Sequence, residues 1–389
     1  MEDFLKRTWA EIDLDALHHN FQLIRQATAE HTRIYAVVKA DAYGHGAVKV
    51  AKTLLECGAA ELAVSNVEEA AQLRANGITC PILVLSYTPP TEVKRLAALE
   101  ITQTVVSLAH AKELSAAAKQ GNVSLKVHIK VDTGMSRVGF VHHAKEDRKA
   151  AAEEVVQAVS LPCLQAEGIF THFAVADEPD ATATQQQFAR LMETIEDVKA
   201  QGVQFEICHC CNSAGTMRFS EMHLDAVRPG IILYGLAPDS SWMNPIWPLH
   251  PVMQLKTAVS MVKTLEAGAS VSYGAIYTAE KEMQVATVPI GYADGYSRLM
   301  AGKAYMLVNG KKAPVIGRVC MDQCMLDVTG IDVAVGDTVT VFGEGLPVET
   351  YGGFIGTIHY ESVCAVAKRV PRVYIENGQV VNWENMILK

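Results

Sequence analysis

The sequence predicts an α/β protein, a (β/α)8 barrel of the TIM type over residues 1–240 followed by a mostly β domain over 241–389. Two observations carry the barrel. Short apolar runs alternate with amphipathic helical stretches through the first 235 or so residues, eight times in all, as a parallel sheet with helical crossovers requires. No Gly-x-Gly-x-x-Gly follows the first run, so a closed barrel is preferred to an open dinucleotide-binding sheet. A third observation marks the boundary. "APDSSWMNPIWPLHP", residues 237–251, is rich in proline and polar residues and reads as a linker.

The expected barrel strands are "IYAVVKA" (34–40), "ELAVS" (61–65), "ILVLS" (82–86), "TQTVVS" (102–107), "LKVHIKV" (125–131), "LQAEGIF" (164–170), "FEICHC" (205–210) and "LDAVR" (224–228). Between them, "GAVKVAKTLLECG", "VEEAAQLRANG", "PPTEVKRLAALE", "LAHAKELSAAAKQG" and "ATQQQFARLMETIEDVKAQG" repeat apolar residues at helical spacing. Several of these stretches end in glycine, the usual residue just past a helix. Beyond the linker, "MQLKTAVSMVKTL", "MQVATVPIG", "AYMLVNGKKAPVIGRV", "QCMLDVTG" and "DTVTVFG" are β-branched runs punctuated by turns. Asn309–Gly310 is a hairpin pair. A small barrel or sandwich is expected there.

Composition excludes several classes. Lys and Arg number 34 against 43 Asp and Glu, a net charge of −9 that favours neither nucleic acid nor an anionic membrane. No apolar stretch is long enough to span a bilayer, and "MEDFLKRTWA" lacks the core of a secretion signal. Nine scattered cysteines fit free thiols in a cytoplasmic protein. The cluster Cys208, His209, Cys210, Cys211 has metal-ligand chemistry, but no second cluster completes a tetrahedral site. Small apolar filling at a strand end is the expected role, and no metal is expected.

In a TIM barrel the active site lies at the C-terminal ends of the strands. The polar oddities fall there. Lys39 ends the first strand, Arg137 follows the fifth in "KVDTGMSRVGF", and His172 closes the sixth in "FTHFAVAD". Asn212 and Ser213 follow the seventh and start a short helix; Arg228, Gly230 and Ile231 follow the eighth. A lysine kept partly dry can lose its proton and attack a carbonyl. The loops after the seventh and eighth strands are where barrels hold phosphate, on unpaired backbone N–H groups. Ser213 and Gly230 belong to such loops, and Tyr43 can add a hydroxyl. A lysine beside a phosphate cradle points to pyridoxal 5'-phosphate held as a Schiff base.

The stretches "AVVKADAYGHG", "KVDTGMSRVGF", "THFAVAD", "NSAG", "AVRPGIILYG", "SVSYGAIYTA", "PIGYADGY" and "GRVCMDQCMLDVT", in this order, closely resemble the bacterial alanine racemases, pyridoxal-phosphate enzymes of the barrel type. The resemblance covers nearly the whole chain. It implies a homodimer that shares its active sites between subunits, racemises alanine by a two-base mechanism and supplies D-alanine for peptidoglycan. It implies that Lys39 and Tyr273, the latter from the partner subunit, are the two bases on opposite faces. Tyr43, Ser213, Gly230, Ile231 and Tyr360 would hold the phosphate, Arg228 would donate to the pyridine nitrogen, and His172 would support Arg228. Arg137 and the Met321 backbone would take the substrate carboxylate. Lys130 matches a lysine often carbamylated in relatives, where it orients the arginine; Cys320 packs beside Met321. Asp177, Tyr292, Arg298, Arg318 and Asp322 match the entrance corridor. Tyr360 retains the residue that narrows the entrance, which favours alanine over serine, whereas His359 stands in place of the usual proline.

Rival readings remain at this point. A racemase of broader or serine-preferring specificity is one. A decarboxylase of the same architecture is another, but that class pairs the pyridine nitrogen with an acid, and Arg228 argues against it. A non-catalytic cofactor-binding barrel would end near residue 235 without a counterpart of Tyr273.

Overall fold

The computed structural model describes residues 4–239 and 247–388. Residues 240–246 of the expected linker lie outside the described residues. The chain divides into two compact units that are not consecutive in sequence. One comprises His18–Ala42 and Ala47–Leu249; the other takes the residues up to Leu17, Tyr43–Gly46 and those from His250 onward.

The first unit is a closed eight-stranded parallel barrel. Its strands are Arg33–Val37, Glu61–Val64, Ile82–Val84, Ile101–Val105, Leu125–Asp132, Leu164–Phe170, Ile207–His209 and Ala226–Val227. Each pairs with the next, and the eighth closes on the first through Ala226↔Arg33. All eight expected strands are present. Their interiors are almost wholly buried, as in Ile101–Val105 and Glu61–Val64, because a parallel strand is covered on both faces.

The five expected helical stretches form Ala47–Glu56, Val67–Ala75, Val93–Ala98 after a 3-10 turn, Leu108–Gly121 and Thr182–Ala200. Local chemistry sets their ends. Asn66 and Ser107 accept the N–H of Glu69 and His110 as N-caps, and Asn122 ends its helix in the left-handed region at φ 52°. Leu14–Ala27 and Arg148–Val159 are helices beyond the sequence reading, as are Val348–Gly353 and His359–Cys364. Arg148–Val159 buries Ala151, Ala152, Val155 and Ala158, a stripe of small residues that gives weak periodicity.

The barrel axis is filled by rings. Phe170 and His209 stack at 4.7 Å with 6° between planes. Tyr35 lies 5.4 Å from His209 and 6.3 Å from His128. Gly168 makes room for this packing: a Cβ there would sit 2.6 Å from the His128 ring. The axis is thus a packed core, not a pore.

The second unit carries a ten-stranded sheet in the order Met261–Leu265, Met283–Val288, Cys324–Asp327, Lys311–Ile316, Tyr305–Val308, Thr338–Phe342, Met253–Ala258, Thr8–Asp13, Arg372–Glu376, Gln379–Glu384. The expected hairpin turn is present, with Asn309 and Gly310 at φ 48° and 75°, the signs a type I′ turn demands. Thr8–Asp13 belongs to this sheet, antiparallel to Met253–Ala258 and parallel to Arg372–Glu376. Among the described residues no helix is long and apolar enough to cross a membrane.

Candidate active site

The C-terminal ends of the barrel strands bring the expected cations of the first unit together. Lys39, half-buried, follows the first strand. The backbone behind it turns left-handed over four residues, Ala40 to Tyr43, at φ 52–55°. A non-glycine residue in that region costs about 1–2 kcal/mol, so the turn must be held. Glu69 holds one side, its carboxylate accepting the N–H groups of Ala40 at 2.8 Å and Ser65 at 2.7 Å. Asp41 Oδ1 accepts from Ala47 N at 2.8 Å and ties the turn to the next helix.

Arg228 is buried at the end of the eighth strand. Its Nη1 meets His209 Nδ1 at 2.6 Å, and Nη2 reaches Thr171 O at 2.9 Å, Cys210 O at 3.1 Å and His172 Nδ1 at 3.4 Å. These four acceptors all engage the terminal nitrogens and leave Nε outside the set. Burial lowers the guanidinium to about 10, so it stays protonated at neutrality. Burial, then Arg228, pushes His209 well below its ordinary value, which leaves the ring neutral and able to accept. His209 Nε2 in turn meets His128 Nδ1 at 2.9 Å, and burial pushes His128 down to about 3.

Lys130 is buried on the fifth strand with its amine 4.7 Å from the Phe170 ring centre. Arg228 lies over the same ring at 5.1 Å. Burial first, then Arg228 and Arg137, holds the Lys130 amine well below the lysine range, and Asp132 opposes this. His172 is held low by burial and by Lys130, Arg228, Arg137 and Lys39. Three cations, Arg228, Arg137 and Lys39, and the buried amine of Lys130 therefore act on one imidazole.

The acid nearest to them has other work. Asp132 accepts from Gly134 N at 3.1 Å, Ser136 N at 3.0 Å and Arg137 N at 3.0 Å, and His143 Nε2 stands 3.0 Å away. One buried carboxylate thus shapes the loop that presents the exposed Arg137. Burial raises its pKa, but the Ser136, His143 and Gly134 contacts outweigh that and lower it overall.

At the seventh strand Asn212 caps the short helix Ser213–Arg218 through Gly215 N at 2.9 Å. Ser213 Oγ accepts from Gly230 N at 2.8 Å. Ser213, Gly230 and Ile231 are therefore brought together, as the sequence implied.

The second unit holds the other expected residues. Tyr43 is buried, with its ring 6.3 Å from that of Tyr360; burial raises its hydroxyl. His359 is buried against Tyr360 at 4.8 Å. Tyr273 is 71% exposed. It sits in a strained turn between Ser272 at φ 64° and Gly274 at φ 74°. Ser272 Oγ donates to Arg318 O at 2.7 Å and lies 3.4 Å from Cys320 Sγ. Tyr273 and Cys320 line a groove of about 350 Å³ with Leu265 and Met325. Met321 is exposed, and Asp322 is gripped by Arg369 at 2.6 Å. Arg369 and Arg7 also clasp the fully buried Asp294 at 2.8 and 2.9 Å. Tyr292 is exposed just before that carboxylate.

Sequence reading missed His209 and His128. His209 was seen only as part of the cysteine cluster, yet it faces the barrel axis and carries Arg228. Period-two alternation in "FEICHC" was the available signal, since Ile207 and His209 share a face. Cys210 and Cys211 are buried and 4.0 Å apart, each directed at Met222 O. Among the described residues no group of three or more His, Cys, Asp or Glu is placed to hold a metal ion.

Comparison with known proteins agrees with this arrangement. Residues 12–238 match the family "Alanine racemase, N-terminal domain", and residues 252–374 match "Alanine racemase, C-terminal domain". The chain belongs to the alanine racemase family. That is a family of enzymes, and the chain matches its members end to end. The alanine racemase of Desulfovibrio desulfuricans is 47% identical, over 97% of this chain and all of the relative. Alanine racemase 1 of Clostridium acetobutylicum is 44% identical, over 98% and 99%. Among solved structures, alanine racemase of Clostridium difficile 630 superposes with TM-score 0.93 at 40% identity, covering 98% of this chain and 99% of the other. The Bacillus anthracis alanine racemase with bound L-Ala-P gives TM-score 0.93 at 38% identity, over 99% of both chains.

Proposed function

We propose that this chain interconverts L- and D-alanine with bound pyridoxal 5'-phosphate, as a homodimer in the bacterial cytoplasm, and that the D-alanine serves peptidoglycan synthesis. The observation that carries the reading is the cluster of Lys39, Lys130, Arg137 and Arg228 around His172, whose nearby carboxylate, Asp132, is engaged by three backbone N–H groups and His143. A mouth so charged fits a dianionic phosphate and an amino-acid carboxylate. Arg228 fits the pyridine nitrogen for a second reason: its Nη groups are held by neutral acceptors and Nε lies outside that set.

When bound, the cofactor supplies an electron-withdrawing ring that stabilises negative charge at the substrate Cα. Lys39 would hold it through its amine. Ser213, Gly230 and Ile231, with Tyr43 and Tyr360, would hold its phosphate, and Asn212 keeps the Ser213 turn in place. Arg228, supported by His172 and His209, stays protonated and would donate a hydrogen bond to the ring nitrogen while keeping its proton. Arg137 and the Met321 backbone would orient the substrate carboxylate. Cys320 and Asp322 support the Met321 loop. Lys39 and Tyr273 would each move a proton at Cα, one from either face, which inversion requires. The neutral amine of Lys130 is the form that reacts with carbon dioxide, which suits a carbamate beside Arg137.

The test is chiral separation of L-alanine incubated with the cofactor-loaded protein, with L-serine in parallel. D-alanine formation at a higher kcat/KM than D-serine is expected; its absence ends the proposal. Shared sites are tested by mixing two inactive variants, Lys39→Ala and Tyr273→Phe. If each site draws on two subunits, half of the mixed dimers' sites are intact, and about a quarter of full activity returns. No recovery would place both bases in one subunit.

A further inference from the structure

The stretch "PIGYADGY", residues 289–296, carries a carboxylate that the racemase reading leaves without a role. Asp294 is fully buried, and both of its oxygens are engaged. Oδ1 accepts from Arg7 Nη1 at 2.9 Å and from Arg369 Nε at 2.8 Å. Oδ2 accepts from Gly291 N at 2.9 Å and from Arg7 Nη2 at 3.3 Å. Burial raises this carboxyl, but Arg369, Arg7 and the Gly291 N–H outweigh that and hold it below its ordinary value. A buried ion pair adds little net stability, because desolvation offsets the attraction. What the clasp does fix is where two planar guanidinium groups point.

Both groups reach past Asp294 to one loop. Arg7 Nη2 donates to Asp322 O at 3.1 Å, and Arg369 Nη2 donates to Asp322 Oδ1 at 2.6 Å. The turn that contains Asp294 grips the same loop through its backbone. Tyr292 N donates to Cys320 O at 3.1 Å, and Ala293 N donates to Met321 O at 3.0 Å. Gly291 sets how closely they meet. Its φ of −152° is ordinary extended backbone. A Cβ there, however, would sit 2.3 Å from Cys320 O and 2.4 Å from Met321 O. Glycine is required by close approach, not by conformation.

These bonds leave a donor over. Cys320 N is spent on Gln323 O at 2.9 Å, whereas Met321 N donates to no group among the described residues. Met321 is 52% exposed, so a ligand can reach that N–H.

We infer that Asp294 is a positioning residue for the substrate carboxylate: through Arg7, Arg369 and the Gly291 turn it holds the backbone of residues 320–322 in the arrangement that leaves the Met321 N–H free to donate. This rests on the role proposed above for the Met321 backbone. Asp294 takes no part in moving protons at Cα. Its loss should therefore weaken carboxylate binding and spare the chemical step.

Two variants of the cofactor-loaded full chain test this independently. Asp294→Asn removes the charge that aligns both arginines, and Gly291→Ala displaces the loop while leaving the ionic clasp in place. Each should raise KM for alanine about tenfold and change kcat by less than about twofold. Calorimetric titration supplies a second readout. Propionate, a carboxylate without the amine, should bind each variant about tenfold more weakly, whereas ethylamine, an amine without the carboxylate, should bind as to the parent. Arg369→Lys keeps the charge but not the fork, and replaces Asp294→Asn if that variant does not fold; KM should then rise about threefold. A lower kcat at unchanged KM, or equal losses for propionate and ethylamine, means that the clasp only braces the β domain, and overturns the inference. So does an unaltered KM in both variants. Should the parent chain racemise no alanine, the racemase reading fails, and the comparison of propionate with ethylamine still decides the role of Asp294.

Discussion

The two mouths of the barrel are built on the same eight strands and carry different electrostatics. At the C-terminal end Lys39, Lys130, Arg137 and Arg228 gather around His172, and the carboxylates beside them, Asp132 and Glu69, are consumed by the backbone N–H groups of the turns they shape. At the N-terminal end Arg33 and Lys126 are matched by Glu61 and Glu167, and Arg74 stands with the exposed Glu100 and Glu206, so the charges nearly balance. Between them lie Tyr35, His128 and His209, all buried and packed ring to ring. The contrast teaches how a barrel handles its charges: at one end they are paired or left in water, and at the other they are gathered where burial makes an isolated charge neutralise or cost stability.

The contrast is broken most severely at Lys39. Lys39→Ala should lower racemisation by at least about 10⁴-fold and abolish the visible absorbance of the loaded protein; absorption and chiral assays together decide it. Next, Arg228→Gln removes the deepest cation and should reduce kcat by about 10²–10³-fold. Thermal melting separates that loss from misfolding, because Gln can still donate to the His209 ring.

A smaller change sharpens the picture at Asp132. Asp132→Asn should raise KM for alanine about tenfold with little change in kcat, as the Arg137 loop loosens. Its carboxyl is depressed in the folded state, so its contribution is present above the ordinary carboxylate range of about 4 and is lost as pH falls through the lower folded value. Acid-unfolding curves of parent and variant should accordingly converge at the lowest pH and separate toward neutrality. The smallest effect belongs to the other mouth. Glu206→Gln should change alanine turnover by less than about twofold, because Glu206 is exposed at the end remote from the chemistry; a large loss would show the two ends to be coupled.

The legible parts of the sequence were those in which one local pattern carries the information. Parallel strands buried on both faces read as continuous apolar runs, so all eight were visible. Lys39, Ser213 and Arg228 were visible as polar residues at strand ends. The ring axis was hidden, because His128 and His209 are single polar residues inside strands whose partners lie on other strands. The charge cluster at the N-terminal mouth was hidden for the same reason: Glu61, Glu167 and Glu206 look like surface acids until closure assembles them. Arg148–Val159 escaped because alanine marks a buried face only faintly.

The strand Thr8–Asp13 has a consequence for biosynthesis. The ribosome releases it ahead of the barrel, yet its hydrogen-bonding neighbours Met253–Ala258 and Arg372–Glu376 emerge only after the entire barrel. During translation this ribbon waits without a mate, an edge open to other nascent chains. Trimming it, or burdening it with a bulky amino-terminal fusion, should therefore hinder closure of the late sheet and lower the yield of folded chain without altering the chemistry at the barrel mouth.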